Sequence, residues 1–281
     1  MIQLGALIMS NNFFDVFSQI SNAVANLEIE SYYGPTMSDF MRDINWDQTF
    51  DIESLSAHIP SSENSIVIDL GTGDGRIIKR LTDAGIKAQF IGVDSSLAVA
   101  RRFEARQTEY GFPGTFIQAN FLDGIPSVAP ADGAVFGSVS INCLNSIEVL
   151  SQLFTAATAF LKPEAPLILS CYTDAAMKLF PSLDGVLNAE PYITEDGNRR
   201  LMWRGLKYEG TEFLHNAFVD RTAEGLASVL CWERERVWFE SDLRQIAQLN
   251  GWKPTLRTVS SVSGGGADGF EVATISFRQV P

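Results

Sequence analysis

The residues best suited to chemistry lie in a glycine-rich segment, VIDLGTGDGRI (67–77), where an apolar run leads into Gly71, Gly73 and Gly75 before a helical pattern begins. Glycine tolerates positive φ and lets a ligand approach the backbone closely. Asp94 follows the next apolar run, 21 residues after Gly73, where a carboxylate can accept hydrogen bonds from both hydroxyls of a ribose. The pattern predicts a nucleoside-containing ligand at the carboxyl ends of two neighbouring strands.

The glycine spacing distinguishes between two kinds of nucleoside ligand. A dinucleotide-binding turn has the spacing G-x-G-x-x-G, which would need glycine where this chain has Arg76. The chain has D-x-G-x-G-x-G instead, from Asp69 to Gly75. This segment resembles motif I of the class I S-adenosylmethionine (SAM)-dependent methyltransferases, whose pocket holds an amino-acid chain and an adenosine rather than a pyrophosphate.

The resemblance extends beyond this motif. Four further segments follow in the family's order, namely IGVDSS (91–96), FIQANFL (116–122), DGAVFGS (132–138) and FLKPEAPLIL (160–169). The last segment departs from the pattern, because Glu164 and Ala165 replace the usual glycines. The resemblance covers residues 65–172 in its motifs and residues 238–279 in pattern only.

The resemblance implies SAM as the methyl donor and S-adenosyl-L-homocysteine as the product. Asp94 would hold the ribose, Asn120 the adenine amino group, and the backbone N–H of Phe121 the adenine ring. The implied cofactor contacts are Asp69, Gly71, Thr72, Gly73, Gly75, Asp94, Ser95, Asn120, Phe121 and Ser138. Two of them have a simpler alternative, since Asp94 could cap the helix that follows it and Asn120 could be an ordinary turn residue.

The elements that must position these residues alternate between strand and helix. Apolar strands are predicted at 65–70, 88–93, 115–118, 133–138 and 166–171, with helical patterns between most of them. Short apolar strands separated by helices predict an α/β fold with a parallel sheet covered on both faces. With the resemblance, this becomes a Rossmann-like, doubly wound, mostly parallel sheet of seven strands, with an antiparallel β insertion after strand five.

Two regions interrupt the alternation. Residues 11–28 have apolar residues at helical steps and predict an amphipathic helix capped by Ser10 or Asn11, whereas residues 199–237 predict three antiparallel strands. We therefore predict an N-terminal helical or lid segment (1–60), a SAM-binding core (61–172 and 238–281) and an inserted β lid or interface subdomain (173–237).

Composition limits the partners. The chain has 281 residues and a net charge of −13, and no basic run exceeds two residues, so nucleic acid is not expected as a partner. Cys143, Cys171 and Cys231 lack zinc or CxxC spacing, and no acidic metal triad is visible, so no metal is expected. No apolar run is long enough to span a membrane, and free thiols favour a cytoplasmic location.

The insertion supplies the candidates for acceptor chemistry. Its residues 199–237 carry seven Lys/Arg against six Asp/Glu and five aromatic residues, which predicts either a lid over a small, partly apolar substrate or an interface in a homodimer. His215 is the candidate base, although a packed strand histidine is an equal alternative. Tyr33 is the second catalytic candidate, in a segment resembling one that closes over SAM in the family. The substrate-binding candidates are Tyr32, Trp203, Arg204 and Tyr208.

Two functions remain open. The first is methyl transfer from SAM to a small-molecule or short-peptide acceptor, with nitrogen, oxygen or carbon as the nucleophile. The second is a non-catalytic SAM- or nucleoside-binding module that acts through protein association. The first predicts that segments 32–41 and 199–236 both lie over the carboxyl edge of the sheet, where ligands of open α/β folds bind.

Overall fold

The computed structural model describes residues 12–34, 36–37, 40, 46–126, 130–193, 199–262 and 269–280. The chain divides into two compact units. The insertion unit consists of the described parts of Met1–Asn45 and Lys178–Val237. The core unit consists of the described parts of Trp46–Met177, Trp238–Gly264 and Asp268–Pro281.

Strands and α-helices of the described residues are numbered in chain order. The strands are β1 (Leu27–Ser31), β2 (Ile66–Leu70), β3 (Gln89–Asp94), β4 (Thr115–Gln118), β5 (Gly133–Phe136), β6 (Leu167–Tyr172), β7 (Val186–Ile193), β8 (Arg199–Tyr208), β9 (Glu212–Val219), β10 (Ser228–Arg236), β11 (Trp252–Val262) and β12 (Phe270–Gln279). The helices are α1 (Asp15–Ala23), α2 (Ile52–Ser56), α3 (Arg76–Asp83), α4 (Leu97–Tyr110), α5 (Ile147–Phe160) and α6 (Glu240–Leu249).

The core unit contains a seven-stranded sheet in the order β11-β12-β6-β5-β2-β3-β4. All pairs from β4 to β6 are parallel, and β12 is antiparallel to both of its neighbours. From β2 the chain passes to β3 and β4 on one side, and later to β5 and β6 on the other. The strand order therefore reverses beside β2, and open α/β sheets bind ligands at the carboxyl ends of the strands at such a point. This is the predicted fold.

Helices cover both faces of this sheet, which explains why the central strands β2, β5 and β6 are mostly apolar and buried rather than alternating. One face packs Leu150 and Phe154 of α5 with Phe277 of β12 in a fully buried cluster. The other face packs Leu55 of α2 and Ile78 of α3 in a second cluster.

Residues 46–60 belong to the core unit, although the sequence analysis placed them in the N-terminal segment. Trp46, Leu55 and Ile59 are 6%, 0% and 6% exposed and pack in the second cluster. The predicted boundary at residue 60 is therefore about fifteen residues too late. The apolar side chains that precede β2 pack on the core sheet.

The insertion unit contains a five-stranded sheet in the order β1-β10-β9-β8-β7, where the sequence predicted three strands. β1 pairs in parallel with β10, with Leu27 opposite Ser228. The predicted helix over 11–28 is correspondingly too long, because α1 ends at Ala23 and the alternation of LEIES in β1 is a strand pattern. Its predicted caps, Ser10 and Asn11, lie outside the described residues.

The unpredicted strand β7 is antiparallel to β8 at the opposite edge of this sheet. Its sequence, VLNAEPYI, contains Asn, Ala, Glu and Pro, which are depleted in strands. Proline is tolerated there because β7 is an edge strand. Pairing with β8 thus overrides the low strand propensity of these residues.

Candidate cofactor and acceptor sites

The glycine turn joins β2 to α3 at the point where the strand order reverses. Gly71, Gly73 and Gly75 have φ values of +61°, +54° and +87°, a region that other residues enter at a cost. Their surroundings differ, because a Cβ on Gly75 would lie 2.7 Å from Phe112 Cζ, whereas one on Gly73 would meet nothing within 4 Å. Gly75 thus permits close packing, and Gly73 borders open space that a ligand can fill.

Hydrogen bonds fix this turn against the end of β3. The Thr72 N–H donates to Val93 O at 3.0 Å, and its hydroxyl donates to Asp69 Oδ2 at 2.7 Å. The Gly73 N–H donates to Asp94 Oδ2 at 3.2 Å. The glycine turn and Asp94, which the sequence analysis assigned to one ligand, are therefore in direct contact with each other.

Asp94 also takes the alternative role of a helix cap. Its Oδ1 accepts a hydrogen bond from the Ser96 N–H at 3.0 Å, just before α4 begins. Each carboxylate oxygen then has one N–H partner, and a carboxylate offers about four acceptor positions. Burial raises the pKa of Asp94, although the N–H bonds from Ser96 and Gly73 oppose this effect. Capping therefore leaves acceptor capacity for ribose hydroxyls.

Asp69 carries an acceptor that lacks a partner. The residue is fully buried, and its Oδ1 has no hydrogen-bond partner among the described residues. Burial raises the pKa of Asp69 to about 7, against the opposing bond from Thr72. A buried, unsatisfied carboxylate oxygen is costly. Asp69 therefore has an unused acceptor at the start of the glycine turn.

Ser138 lies just beyond β5, where a buried ion pair holds the backbone. Its N–H and Oγ donate to Asp51 Oδ2 at 3.1 and 3.2 Å, and Arg76 donates to both oxygens of Asp51 at 2.9 and 2.8 Å. Ser138 and Val139 have φ values of +56° and +58°, so this turn is strained. The N–H of Ser138 is thus already engaged. Asp51, which the sequence analysis missed, connects the turn to α3.

Asn120 has the local turn role that the sequence analysis left as an alternative. Its Oδ1 accepts from the Leu122 N–H at 3.2 Å, and its Nδ2 donates to Asp123 at 2.7 Å. The neighbouring Phe121 packs edge-on against Phe136 with ring centroids 5.3 Å apart. Ser95 is exposed beside Asp94. The adenine roles of Asn120 and Phe121 stay predictions.

Most of the acceptor candidates meet on one face of the insertion sheet, which we call the polar face. Its members are Tyr32, Tyr33, Glu190, Arg204, Tyr208, His215, Glu233 and Glu235. Arg204 and Tyr208 alternate on β8, so they share a face, and β8 pairs with β9 so that Tyr208 lies opposite Phe213, two residues before His215. The ring centroids of Tyr32 and His215 are 5.7 Å apart, and Arg204 lies 5.9 Å from the Tyr32 ring.

Glu235 connects the two predicted catalytic residues. Its Oε1 accepts a 2.6 Å hydrogen bond from the Tyr33 hydroxyl, and its Oε2 lies 3.4 Å from His215 Nε2. Burial favours a raised pKa for Glu235, but contacts with His215, Tyr33 and Arg204 outweigh it and leave the pKa below its usual range. The sequence analysis missed Glu235, whose only signal was alternation with Glu233 in a strand of unknown register.

Trp203 lies on the opposite face of β8 from Arg204. It stands opposite Phe218. Gly205, two residues further on and on the same face of β8, has so little space that a Cβ there would collide with the Phe17 ring of α1. Trp203 is therefore on the face that α1 packs against. It cannot share the polar face with the other acceptor candidates.

Among the described residues, no three or more His, Cys, Asp or Glu side chains are arranged to hold a metal ion. In the same part of the chain, each helix is too short or too polar to cross a bilayer.

Comparisons with known proteins agree with this geometry. Residues 67–164 match the family model described as a methyltransferase domain. The fold resembles a SAM-dependent methyltransferase from Clostridium acetobutylicum, at 16% identity and TM-score 0.61, over 89% of this chain and 99% of that one. It also resembles the CcbJ methyltransferase from Streptomyces caelestis, with the same identity and coverage and TM-score 0.65. No curated protein matches the chain.

A third solved structure has a more specific description. The sugar N-methyltransferase KedS8 from Streptoalloteichus is 16% identical, with TM-score 0.63 over 87% of this chain and 92% of that one. At such identities the likeness establishes the fold. The comparisons agree with the resemblance seen in the motifs: residues 67–164 match a methyltransferase domain, and the chain has a Rossmann-like α/β fold.

Proposed function

We propose that the protein transfers a methyl group from SAM to a small-molecule or short-peptide acceptor. The observation that carries the proposal is the direct bond between the glycine turn and Asp94, at the point where the strand order reverses. Gly73 borders open space, and Asp69 offers an unsatisfied acceptor nearby in the chain. These groups fit the three parts of a SAM molecule better than a pyrophosphate.

The residues of the core unit would hold the donor rather than react with it. SAM supplies a methyl group on a positively charged sulfur, and the acceptor nucleophile displaces that sulfur in line. Asp94 would accept from the ribose, and Asp69 from the ammonium group. The turn is already fixed by Thr72 and Asp94, so little reorganisation would be needed on binding.

A nitrogen acceptor fits the polar face best. Among the members of the polar face, the carboxylates Glu190, Glu233 and Glu235 outnumber the guanidinium of Arg204, which is paired with Glu190 Oε1 at 2.7 Å. An excess of carboxylates favours a positively charged ligand such as a protonated amine. KedS8, described as a sugar N-methyltransferase, supports the same choice.

The test is incubation with methyl-labelled SAM and the small-molecule fraction of a cell extract. Transfer of label to a small molecule supports the proposal. The predicted alternative, a non-catalytic SAM- or nucleoside-binding module, would bind SAM in calorimetry and transfer no label. Failure to bind SAM would exclude both.

Selectivity against dinucleotides provides a second test. Arg76 stands where a dinucleotide turn needs its third glycine, and its side chain is 10% exposed and bound to Asp51. NAD should therefore raise the melting temperature much less than SAM does. Equal stabilisation by the two ligands would contradict the SAM assignment.

Three expectations stay predictions. They are the lid formed by segments 32–41 and 199–236, the homodimer and the cytoplasmic location. The absence of nucleic-acid and membrane partners is likewise proposed from charge and hydropathy.

A further inference from the structure

The carboxylate of Asp51 is fully buried in the core unit, just before α2 begins. Arg76, the first residue of α3, donates to its Oδ1 and Oδ2 at 2.9 and 2.8 Å. Oδ2 also accepts the N–H and the hydroxyl of Ser138 at 3.1 and 3.2 Å, and Arg76 contacts the same hydroxyl. One carboxylate thus joins the end of the glycine turn to the turn that follows β5.

The turn after β5 has a conformation that its own residues disfavour. Ser138 and Val139 have φ values of +56° and +58° in succession. The left-handed region is costly for residues with a Cβ, and most of all for a β-branched residue such as valine. Strain of this kind persists only where the surrounding structure enforces it, and it is concentrated at functional sites. The bonds between Ser138 and Asp51 supply such a restraint.

The strained turn lies beside the glycine turn. β5 is a parallel neighbour of β2 in the core sheet, so the two turns follow the carboxyl ends of adjacent strands. Phe136, the last residue of β5, packs so closely on Gly71 that a Cβ there would lie 3.1 Å from its Cε2. The next residue is restricted as well, because a Cβ on Gly137 would lie 2.7 Å from Ile77 Cδ1 and 3.2 Å from Leu55 Cδ1. The direction in which the chain leaves β5 therefore fixes Phe136 against the glycine turn.

We infer that Asp51 is a positioning residue of the SAM site, which holds residues 138–139 in their strained turn and, through Arg76, the glycine turn beside it. This inference rests on the proposed function. Without the carboxylate, the strained turn relaxes to negative φ and the chain leaves β5 in another direction. Phe136 then loses its fixed place beside Gly71. Only a fraction of the molecules keeps the shape that binds SAM, and the apparent affinity falls by that fraction.

The role of Asp51 is indirect, because its acceptor positions are already filled. A buried charge is costly unless it is paired and hydrogen-bonded. Arg76 supplies the opposite charge, and the bonds from Arg76 and Ser138 occupy the about four acceptor positions that a carboxylate offers. Asp51 therefore acts on SAM through the two turns that it joins.

The first test replaces the ion pair by apolar side chains of similar volume. Asp51→Leu with Arg76→Met leaves no unpaired buried charge, and such exchanges often preserve stability. Calorimetry should show the Kd for SAM raised about tenfold, as expected if about one molecule in ten keeps the binding shape. An unchanged Kd would overturn the inference.

A second ion pair of the core unit provides the matched control. Asp132 and Lys162 are 2.7 Å apart, and Asp132 precedes β5 instead of following it. Asp132→Leu with Lys162→Met should keep the Kd for SAM within about twofold of the wild type. A tenfold rise here as well would mean that the loss comes from general destabilisation, and would overturn the inference.

The second test relieves the strain directly. Val139→Gly, added to the apolar replacement of Asp51 and Arg76, lowers the cost of the left-handed region, which glycine populates freely. The Kd for SAM should return to within about threefold of the wild type. Removing a buried side chain cannot repair a general loss of packing, so recovery is specific to the turn. An absence of recovery would overturn the inference.

A milder variant serves if the apolar replacement does not fold. Asp51→Asn keeps the shape of the side chain and removes its charge, so it should raise the Kd for SAM about threefold. Val139→Gly should again reverse the rise. A Kd equal to that of the wild type in Asp51→Asn would overturn the inference.

A third measurement needs no ligand and separates this inference from the proposed function. The ¹³Cα and ¹³Cβ chemical shifts of Val139 should indicate left-handed backbone in the wild type and negative φ once Asp51 and Arg76 are replaced. Left-handed shifts in both proteins would overturn the role of Asp51 even if the protein binds SAM. A wild type that binds no SAM would overturn the proposed function, and the SAM role of Asp51 with it, whatever the shifts show.

Discussion

The two candidate sites differ in the groups that form them, since one consists mainly of backbone groups and the other of side chains. The glycine turn of the core unit relies on backbone N–H groups, positive φ values and one carboxylate from each of two neighbouring strands. The polar face of the insertion unit relies on titratable side chains that alternate along strands. A backbone site is tied to chain geometry and leaves a motif in the sequence. A side-chain site depends on strand register and leaves almost none.

The largest expected effect distinguishes a glycine that is needed for packing, Gly75, from one that is needed for ligand binding, Gly73. Gly75→Ala should lower the free energy of unfolding by about 3 kcal/mol, because its Cβ would press on Phe112 and Phe103 in a strained backbone region. Gly73→Ala, with open space around it, should cost only about 1 kcal/mol but should weaken SAM binding. Urea unfolding and calorimetry of both variants test this. Equal destabilisation would mean that the two glycines do not differ in role.

The second prediction contrasts the two histidines in their effect on how stability depends on pH. His58 is buried between Ser276 Oγ at 2.6 Å and Thr258 Oγ1 at 2.9 Å, and burial lowers the pKa of His58 to about 4. The unfolded chain, with a histidine pKa near 6.5, binds more protons between these values, so stability should fall as the pH drops from about 6.5 to 4. The loss is up to about 3 kcal/mol.

Replacement of each histidine in turn measures this loss. His58→Gln should remove most of the slope of unfolding free energy against pH in that window, and His215→Gln should retain it. A slope that survives in His58→Gln would assign the acid sensitivity to carboxylates instead.

The third prediction concerns Asp94. Asp94→Ala should weaken SAM binding by about 1.5–3 kcal/mol, as expected for hydrogen bonds to a charged group. His215→Gln, in the other unit, should leave the Kd unchanged. Calorimetry of both variants decides whether donor binding belongs to the core unit alone. An unaltered Kd in Asp94→Ala would remove the ribose assignment.

The smallest expected effect tests which face of the insertion sheet meets the acceptor. Trp203→Ala should change turnover by about twofold or less, as for a surface position away from the chemistry. Arg204→Met, on the neighbouring residue, should lower turnover more. The reverse result would place acceptor binding on the face that carries α1.

The difference between the two sites also explains what the sequence could predict. Gly71, Gly73, Gly75 and Asp94 are predictable from the sequence because a ligand-binding turn requires particular residue types at fixed spacing. The core strands are also predictable, because parallel strands that are buried on both faces appear in the sequence as short apolar runs. The buried pair of Asp51 and Arg76 joins residues 25 positions apart through tertiary structure, and no local pattern marks it.

The insertion unit shows the limits of local patterns. The candidates His215, Tyr33 and Arg204 rest on residue type, and the structure brings them to one face. Trp203 lies on the opposite face, because the sequence does not give the strand register. The predicted helix over 11–28 is too long because Val24 and Leu27 fit helical spacing, whereas the alternation in LEIES indicates a strand. The partner of that strand lies so far along the chain that only tertiary structure could reveal it.

The pairing of β1 with β10 has a consequence for how the protein is made. Leu27 and Ser228 are about 200 residues apart, so β1 leaves the ribosome long before its partner exists. At synthesis rates of about 5–20 residues per second, this strand waits roughly 10–40 s, during which β2 to β6 emerge in full. The insertion sheet can therefore gain its edge strand only after the parallel strands of the core sheet have been translated. A nascent chain stopped before residue 228 should leave Leu27–Ser31 open to protease.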